Sequence, residues 1–535
     1  MSNKLTHSWA LPPVWIRFLV IVLLLLGIFF RFVNLDRKVY WFDETFTSLR
    51  ISGYTEAEVV NQVCNGKQIG IEDLQKYQRL APDKTLTDTI KSLATEDSQH
   101  PPLYYVMTRF WVQWFGNSVA VTRSLSALIS LLVFPCIYWL CLELFNSSLV
   151  GWVAIGLIAV SPFHILYAQE AREYSLWTVT ILLSSAALLR AIRLNTKFSW
   201  GMYAVTMMLG LYSFLFSGLV AIGHGIYVVV TESFQFSKTV TNYLLASLLT
   251  FLVFTPWLLV VITQSSQVSQ TTAWTSYQMS RLNLVKTWWV NLGYFFFDFS
   301  LYINNYPWVR YLSMCLRTFI LILVGYSIYF LCRNTSKQVW LFVLTLIGTT
   351  GLALIIPDLI LEGQRSKTSR YLLPCYLGIQ LAFAYLISNK ITFISIKGWS
   401  VKVWRVITIT LITLGVLSCA LGSQAETSWH KDLNYYTPQV VHIINKYQRP
   451  FLISFCQKVW ALGDEMPLSY LLAPKVQLQL VQEPNMPKIP DNFSDVFLLD
   501  PPLAVQSSLE REHHYKIKPV DNENLKLWKI EKSDN

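Results

Sequence analysis

Long apolar runs separated by short polar segments fill the chain up to Leu421, after which the pattern changes. The runs are Val14–Phe32, Val119–Leu144, Leu149–Leu166, Ser175–Arg193, two within Trp200–Val230, Leu244–Ile262, Val309–Leu331, Val339–Ile356, Tyr371–Ile387 and Val406–Leu421. A helix needs about 20 apolar residues to cross a bilayer, so this pattern predicts about eleven spans. Solid apolar runs exclude a transmembrane β-barrel, whose strands alternate. The first run lacks a small-residue cleavage site and reads as an uncleaved span.

Residues 34–118 read as a long first outer loop. Within it Leu103–Phe115 is apolar but only about 20 Å long as a helix, too short to span. With Arg109 and Gln113 inside it, it reads as an amphipathic helix on the outer surface. The Phe295-Phe296-Phe297-Asp298 stretch is expected at the membrane interface. Beyond Leu421 the apolar strips shorten to Phe451–Phe455, Val476–Val481, Val496–Leu499, Tyr515–Ile517 and Leu525–Ile530, with helical stretches at Pro438–Tyr447 and Leu503–Glu512. The expectation is an all-α polytopic membrane domain over 1–422 and a small α/β extracytoplasmic domain over 423–535.

Composition sharpens this. Of 535 residues, 53% are hydrophobic and 14% charged, against about 25% charged in a typical soluble domain. The net charge of +11 comes without a basic stripe interleaved with aromatics, so nucleic-acid binding is excluded. The basic residues Arg190, Arg193, Lys197, Lys238, Arg333, Lys337, Lys390, Lys397, Lys402 and Arg405 fall at cytoplasmic ends instead. Arg365, Lys367 and Arg370 break that rule by crowding a short outer loop. A bound anion explains them; pairing with Asp358 and Glu362 is the alternative. The eight cysteines form no CxxC pair, which argues against a metal framework. Cys64 and Cys456 both fall outside, and whether they are bridged is left open.

The candidate chemistry begins at Tyr40-Trp41-Phe42-Asp43-Glu44-Thr45, just past the first span. Adjacent carboxylates at a membrane boundary are either an interfacial anchor with a helix cap at Asp43 or a catalytic base. His164 and His224 lie in apolar spans and read as packed, hydrogen-bonded histidines. His100 before Pro101-Pro102 reads as a turn residue or a substrate contact, and Glu170 and Arg172 as a charge pair or a site.

Four motifs in order carry a resemblance: Asp43-Glu44 after the first span, His100-Pro-Pro-Leu-Tyr-Tyr closing the first loop, Ser161-Pro162-Phe163-His164-Ile165-Leu166-Tyr167-Ala168-Gln169-Glu170-Ala171-Arg172, and Arg370-Tyr371-Leu372-Leu373-Pro374. Over residues 10–390 the chain resembles the bacterial branch of the protein O-mannosyltransferase and lipid A aminoarabinose-transferase superfamily, polytopic GT-C glycosyltransferases that use polyprenyl-phosphate sugars. The resemblance implies a sugar passed from a polyprenyl-phosphate donor to a hydroxyl or phosphate on a lipid, glycan or protein acceptor, at the extracytoplasmic face of a bacterial plasma (inner) membrane. It implies Asp43 as base with Glu44 beside it. It assigns the donor phosphate to Arg365, Lys367 and Arg370 and a second acidic position to Glu170; from the residues themselves, Arg172 can join the phosphate donors, His100 can line the cavity, and Tyr167, Tyr174 and Tyr371 are either interfacial anchors or cavity residues that touch substrate. No cofactor is required, although Asp43 with Glu170 leaves room for a divalent cation. A good phosphate leaving group and one base describe a single displacement with inversion. The rival is a transporter or flippase for a lipid-linked sugar, which inverted repeats would announce; none is visible. The 423–535 tail lies outside the resemblance.

Overall fold

The computed structural model describes residues 11–303, 306–392, 398–456, 462–482, 484–490, 492–512, 515–521 and 523–532; Lys397 lies outside them. The chain divides into two compact units. The membrane unit comprises residues 1–35, 98–104 and 123–424, and the sheet unit comprises 36–97, 105–122 and 425–535.

The membrane unit accounts for the expected runs. Among the described residues, eight helices are long and apolar enough to cross a membrane. A ninth span is the bent pair Ser148–Ala159 and Pro162–Ala168, which meet at 65°. The Trp200–Val230 segment forms two shorter helices, Lys197–Ser213 and Ser217–Thr231. Burial differs among the spans: 83% of the most apolar stretch of Tyr174–Leu194 and of Ser369–Ile391 is buried inside the protein, against 22% for Lys238–Thr263. Tyr174–Leu194 packs against Lys197–Ser213 and Val133–Phe145, and Leu373–Thr392 packs against Ser148–Ala159, Pro307–Asn334 and Lys337–Leu361.

The break after Ala159 has a visible cause and a visible repair. Ser161-Pro162 stops one helix and starts the next, since proline suits a first turn and not an interior. The carbonyls freed at the break would be unsatisfied in hydrocarbon. Arg31 of the first span reaches across and donates to the carbonyls of Ala159 (3.0 Å) and Ile158 (3.3 Å), and to Ser130 Oγ (3.1 Å). One turn earlier a Cβ at Gly27 would overlap the Ala159 carbonyl, so only glycine permits this approach.

The Phe295–Phe297 stretch corrects an expectation. Its three rings are buried, not interfacial. Phe295 lies 5.3 Å from Tyr376 and 5.5 Å from Phe163, and its carbonyl accepts from Ser161 Oγ at 2.7 Å.

Among its described residues the sheet unit has six strands: β1 Asn65–Gly70, β2 Pro450–Cys456, β3 Gln477–Gln482, β4 Asp495–Leu499, β5 Tyr515–Pro519 and β6 Leu527–Lys532. Their order is β1-β3-β2-β4-β6-β5. β2 runs parallel to β3 and β4, and the outer pairings are antiparallel. The central parallel strands read as near-continuous apolar runs because both faces are covered. Phe451, Ile453 and Leu498 face one core, and Leu452, Leu478 and Phe497 face the other.

The first loop, assigned above to the membrane domain, groups instead with the C-terminal segment. β1 pairs with β3, and Cys64 is bridged to Cys456 across 392 residues of sequence. β1 has the sequence Asn-Gly-Lys-Gln-Ile-Gly, without apolar alternation. It is an edge strand that exists because β3 supplies its hydrogen bonds.

The Leu103–Phe115 helix forms as expected, with its polarity turned around. Arg109 is buried, donating to the carbonyls of Ile51 and Lys84 at 2.5 Å each, while Trp114 and Phe115 are exposed. The arginine ties the first loop together and the aromatics form the outward face.

Candidate functional site

The expected site residues fall into two clusters, one in each unit. In the membrane unit the chain leaves the Pro162–Ala168 helix at Gln169, makes a tight turn through Glu170–Glu173, and enters the Tyr174–Leu194 span. Gln169 Nε2 fastens this turn to the end of the first span through the carbonyls of Phe30 (2.8 Å) and Val33 (2.9 Å). Glu170, Arg172 and Glu173 are all buried.

Arg172 Nη2 donates to Glu173 Oε1 at 3.2 Å, and Glu173 Oε1 lies 2.9 Å from His100 Nδ1. The His100 ring is held there by Pro101 and Pro102, which fix the chain leading into the Leu103–Phe115 helix. Burial alone would raise the Glu173 carboxyl, but Arg172 and His100 hold it down to about 2. Glu173 was not singled out in the sequence, because nothing local separates it from Glu170.

Arg172 also lies over the Tyr174 ring at 5.9 Å, and Arg370 lies over that same ring at 5.7 Å. Arg370 lies over Tyr371 as well, at 5.6 Å. Tyr174 in turn packs edge-on against Tyr167 at 5.3 Å, whose hydroxyl meets Ser369 Oγ at 3.3 Å. Thus His100, Tyr167, Arg172, Tyr174, Arg370 and Tyr371 form one contiguous group, with two guanidinium groups sharing a ring. Glu170 lies two residues from Arg172, whose amide donates to its carbonyl at 2.8 Å.

The rest of the basic loop does not join them in the same way. Arg365 donates to Asp358 Oδ1 (3.3 Å) and Ser276 Oγ (2.9 Å). Asp358 is fully buried and also accepts from the amide and hydroxyl of Ser366 at 2.6 Å each. Arg365 therefore answers a buried carboxylate, as the alternative reading of this loop had it. Lys367 is half-buried and makes no ion pair among the described residues.

The second cluster lies in the sheet unit. Asp43 and Glu44 occupy the first turn of the Phe42–Ile51 helix, where the helix dipole favours negative charge. Trp41 in the N-cap position provides no side-chain cap. The amide of Phe42 donates instead to Asn434 Oδ1 at 2.7 Å. Asn434 Nδ2 is placed by the carbonyl of Gly463 and by Asp464 Oδ1, each at 3.3 Å.

Glu44 is fully buried and pairs with Lys431 Nζ at 3.3 Å; Lys431 is itself 1% exposed and sits 4.9 Å from the Trp41 ring centroid. Asp43 is half-buried. The adjacent carboxylates thus differ: Glu44 anchors its helix and Asp43 stands at the helix's partly accessible face. Lys431 precedes Asp432, whose φ of 38° puts a non-glycine residue in the strained left-handed region. Neither Lys431 nor Asn434 was legible as functional, since nothing in the local sequence connects them to partners 387 and 392 positions away.

Next to this network, burial and the neighbouring Asp464 push the Glu465 carboxyl up to about 8. It lies 2.5 Å from Ser454 Oγ on β2. Among the described residues no group of three or more His, Cys, Asp or Glu side chains is arranged to hold a metal ion; Asp43 and Glu170 belong to different units.

Residues 99–260 match the model of the family described as dolichyl-phosphate-mannose-protein mannosyltransferase. No curated protein sequence matches significantly. Among solved structures, ArnT from Cupriavidus metallidurans bound to undecaprenyl phosphate aligns over 96% of this chain and 97% of its own, at 10% identity and a TM-score of 0.51. Its apo state gives the same figures. The archaeal oligosaccharyltransferase AglB from Archaeoglobus fulgidus covers 86% of this chain and 64% of its own, at 13% identity and a TM-score of 0.46. The family match over residues 99–260 and the ArnT-like architecture agree with the resemblance seen in the motifs: the chain has a GT-C fold with several apolar helices long enough to cross a membrane.

Proposed function

We propose that this protein transfers a sugar from a polyprenyl-phosphate donor to a hydroxyl or phosphate acceptor on a lipid, glycan or protein at the extracytoplasmic face of the plasma membrane. The observation that carries the proposal is the pair of guanidinium groups, Arg172 and Arg370, at 5.9 and 5.7 Å from the centroid of one tyrosine ring, Tyr174. Such a pair presents several N–H donors to a phosphate oxygen inside a low-dielectric site. ArnT from C. metallidurans, whose architecture this chain shares, was solved with undecaprenyl phosphate bound, which supports a donor of that class.

In the reaction the acceptor oxygen attacks the anomeric carbon while the bond from that carbon to the phosphate oxygen breaks. The acceptor proton passes to Asp43, and the leaving polyprenyl phosphate keeps the bonding electrons. Arg172 and Arg370 stabilise the charge that develops there. One base and one stabilised leaving group give inversion at the anomeric carbon. Glu44, buried against Lys431, orients the helix that carries Asp43.

The Cys64–Cys456 bridge supports an oxidising, extracytoplasmic compartment for the sheet unit. The test is reconstitution of the protein in vesicles with polyprenyl-phosphate sugars, followed by mass spectrometry of lipid and glycan products. Release of polyprenyl phosphate with a new glycosidic bond is expected. Movement of intact donor across the bilayer without bond cleavage would instead make the protein a flippase.

A further inference from the structure

The C-terminal segment falls outside the family match, and its contribution to the reaction is unassigned. Its cores would be satisfied by packing alone, yet two of its polar side chains are spent on the first turn of one helix. Asn434 takes the amide of Phe42, a group that the helix's own N-cap residue leaves without a side-chain acceptor. A first-turn amide must find an acceptor, and here the acceptor comes from 392 residues further along the chain. Lys431 takes Glu44. Both are buried, and both belong to a short turn that is strained at Asp432. Strain of this kind persists only where surrounding contacts over-determine it. Asn434 is itself fixed by Gly463 and Asp464, so the turn is gripped from its far side too.

We infer that Lys431 and Asn434 are positioning residues for sugar transfer: the C-terminal segment caps and charge-locks the first turn of the Phe42–Ile51 helix, and thereby sets where the Asp43 carboxylate points. This rests on Asp43 being the base. Lys431 fixes the roll of the helix by holding Glu44, the residue next to Asp43. Asn434 fixes its start by holding the Phe42 amide, on the other side of Asp43. Two restraints flanking one side chain define its direction better than either does alone. A displacement of about 1 Å at a reacting group costs on the order of 100-fold in rate.

The test compares Asp43→Asn, Asn434→Ala, Lys431→Met and Lys431→Arg in the full-length protein reconstituted in vesicles. Folding is checked by the amount in the membrane and by formation of the Cys64–Cys456 bridge on non-reducing gels. Asn434→Ala and Lys431→Met are expected to lower kcat roughly 10- to 100-fold with the donor KM within about twofold of the unmodified protein. Lys431→Arg, which keeps the charge, restores most of kcat. Loss of kcat with a parallel rise in donor KM, or a loss that Lys431→Arg does not restore, overturns positioning in favour of a general structural role. Should Lys431→Met fail to reach the membrane, Asn434→Ala decides alone, and an unchanged kcat there overturns the inference. An inactive Asp43→Asn beside fully active Asn434→Ala and Lys431→Met sinks only the positioning role. An active Asp43→Asn sinks the base assignment itself.

Discussion

The membrane unit gathers guanidinium groups around Tyr174, one of which, Arg172, also pairs with Glu173 at 3.2 Å, whereas the sheet unit gathers carboxylates at the start of the Phe42–Ile51 helix. Glu44 is met by a full opposite charge, Lys431, at 3.3 Å. Arg370 lies over aromatic rings, those of Tyr174 and Tyr371. A ring orients a guanidinium through its quadrupole without cancelling its charge, for about 0.5–2 kcal/mol. The same contrast recurs inside the basic loop, where Arg365 faces the buried Asp358 and Arg370 faces rings. Adjacent like residues in a sequence need not share a role.

The comparison can be broken most directly at the acid pair. Asp43→Asn is expected to lower sugar transfer by about 10²–10⁴-fold, the usual worth of a general base, with membrane insertion intact. A radiolabelled-sugar transfer assay reads this, and full activity would remove the base. In the basic cluster, Arg172→Ala and Arg370→Ala are each expected to cost roughly 10²–10³-fold in kcat, by analogy with lost oxyanion donors. Arg365→Ala is expected to act through stability, since it leaves the Asp358 carboxylate buried without its cation. Equal kinetic losses at 365 and 370 would erase the distinction drawn here.

Cys64→Ser should destabilise the sheet unit by about 2–5 kcal/mol, read by the temperature at which proteolysis of residues 425–535 begins. A further effect concerns pH. The Glu465 carboxyl is raised to about 8 in the folded unit, against about 4.3 when unfolded. Between those values the unfolded chain binds fewer protons, so this group's contribution to stability falls as pH rises from about 4.3 to about 8. Glu465→Gln should flatten that slope; an unchanged pH dependence of the melting temperature would assign the slope to other groups.

Several elements were legible because they depend on local pattern. The apolar runs became spans, and even the two short helices over Trp200–Val230 fell where hydropathy put them. The strips at Phe451–Phe455 and Val496–Leu499 became β2 and β4, since central strands bury both faces and read as continuous apolar runs. The Phe295–Phe297 stretch misled because aromatic residues suit both a membrane interface and a packed core, and the choice rested on Phe163 and Tyr376 elsewhere in the chain. β1 was invisible because an edge strand can borrow all its order from a neighbour.

Sequence by itself therefore determined the membrane class, the apolar helices and the α/β character of the tail. Only the tertiary structure decided that the first loop and the tail form one unit, that Arg365 answers Asp358 while Arg172 and Arg370 share Tyr174, and that Glu44 is claimed by Lys431. Periodicity records which side of an element is buried, because that depends on residues a turn or two apart. The partner of a buried charge depends on contacts 387 residues apart, as between Glu44 and Lys431, and no local pattern encodes them.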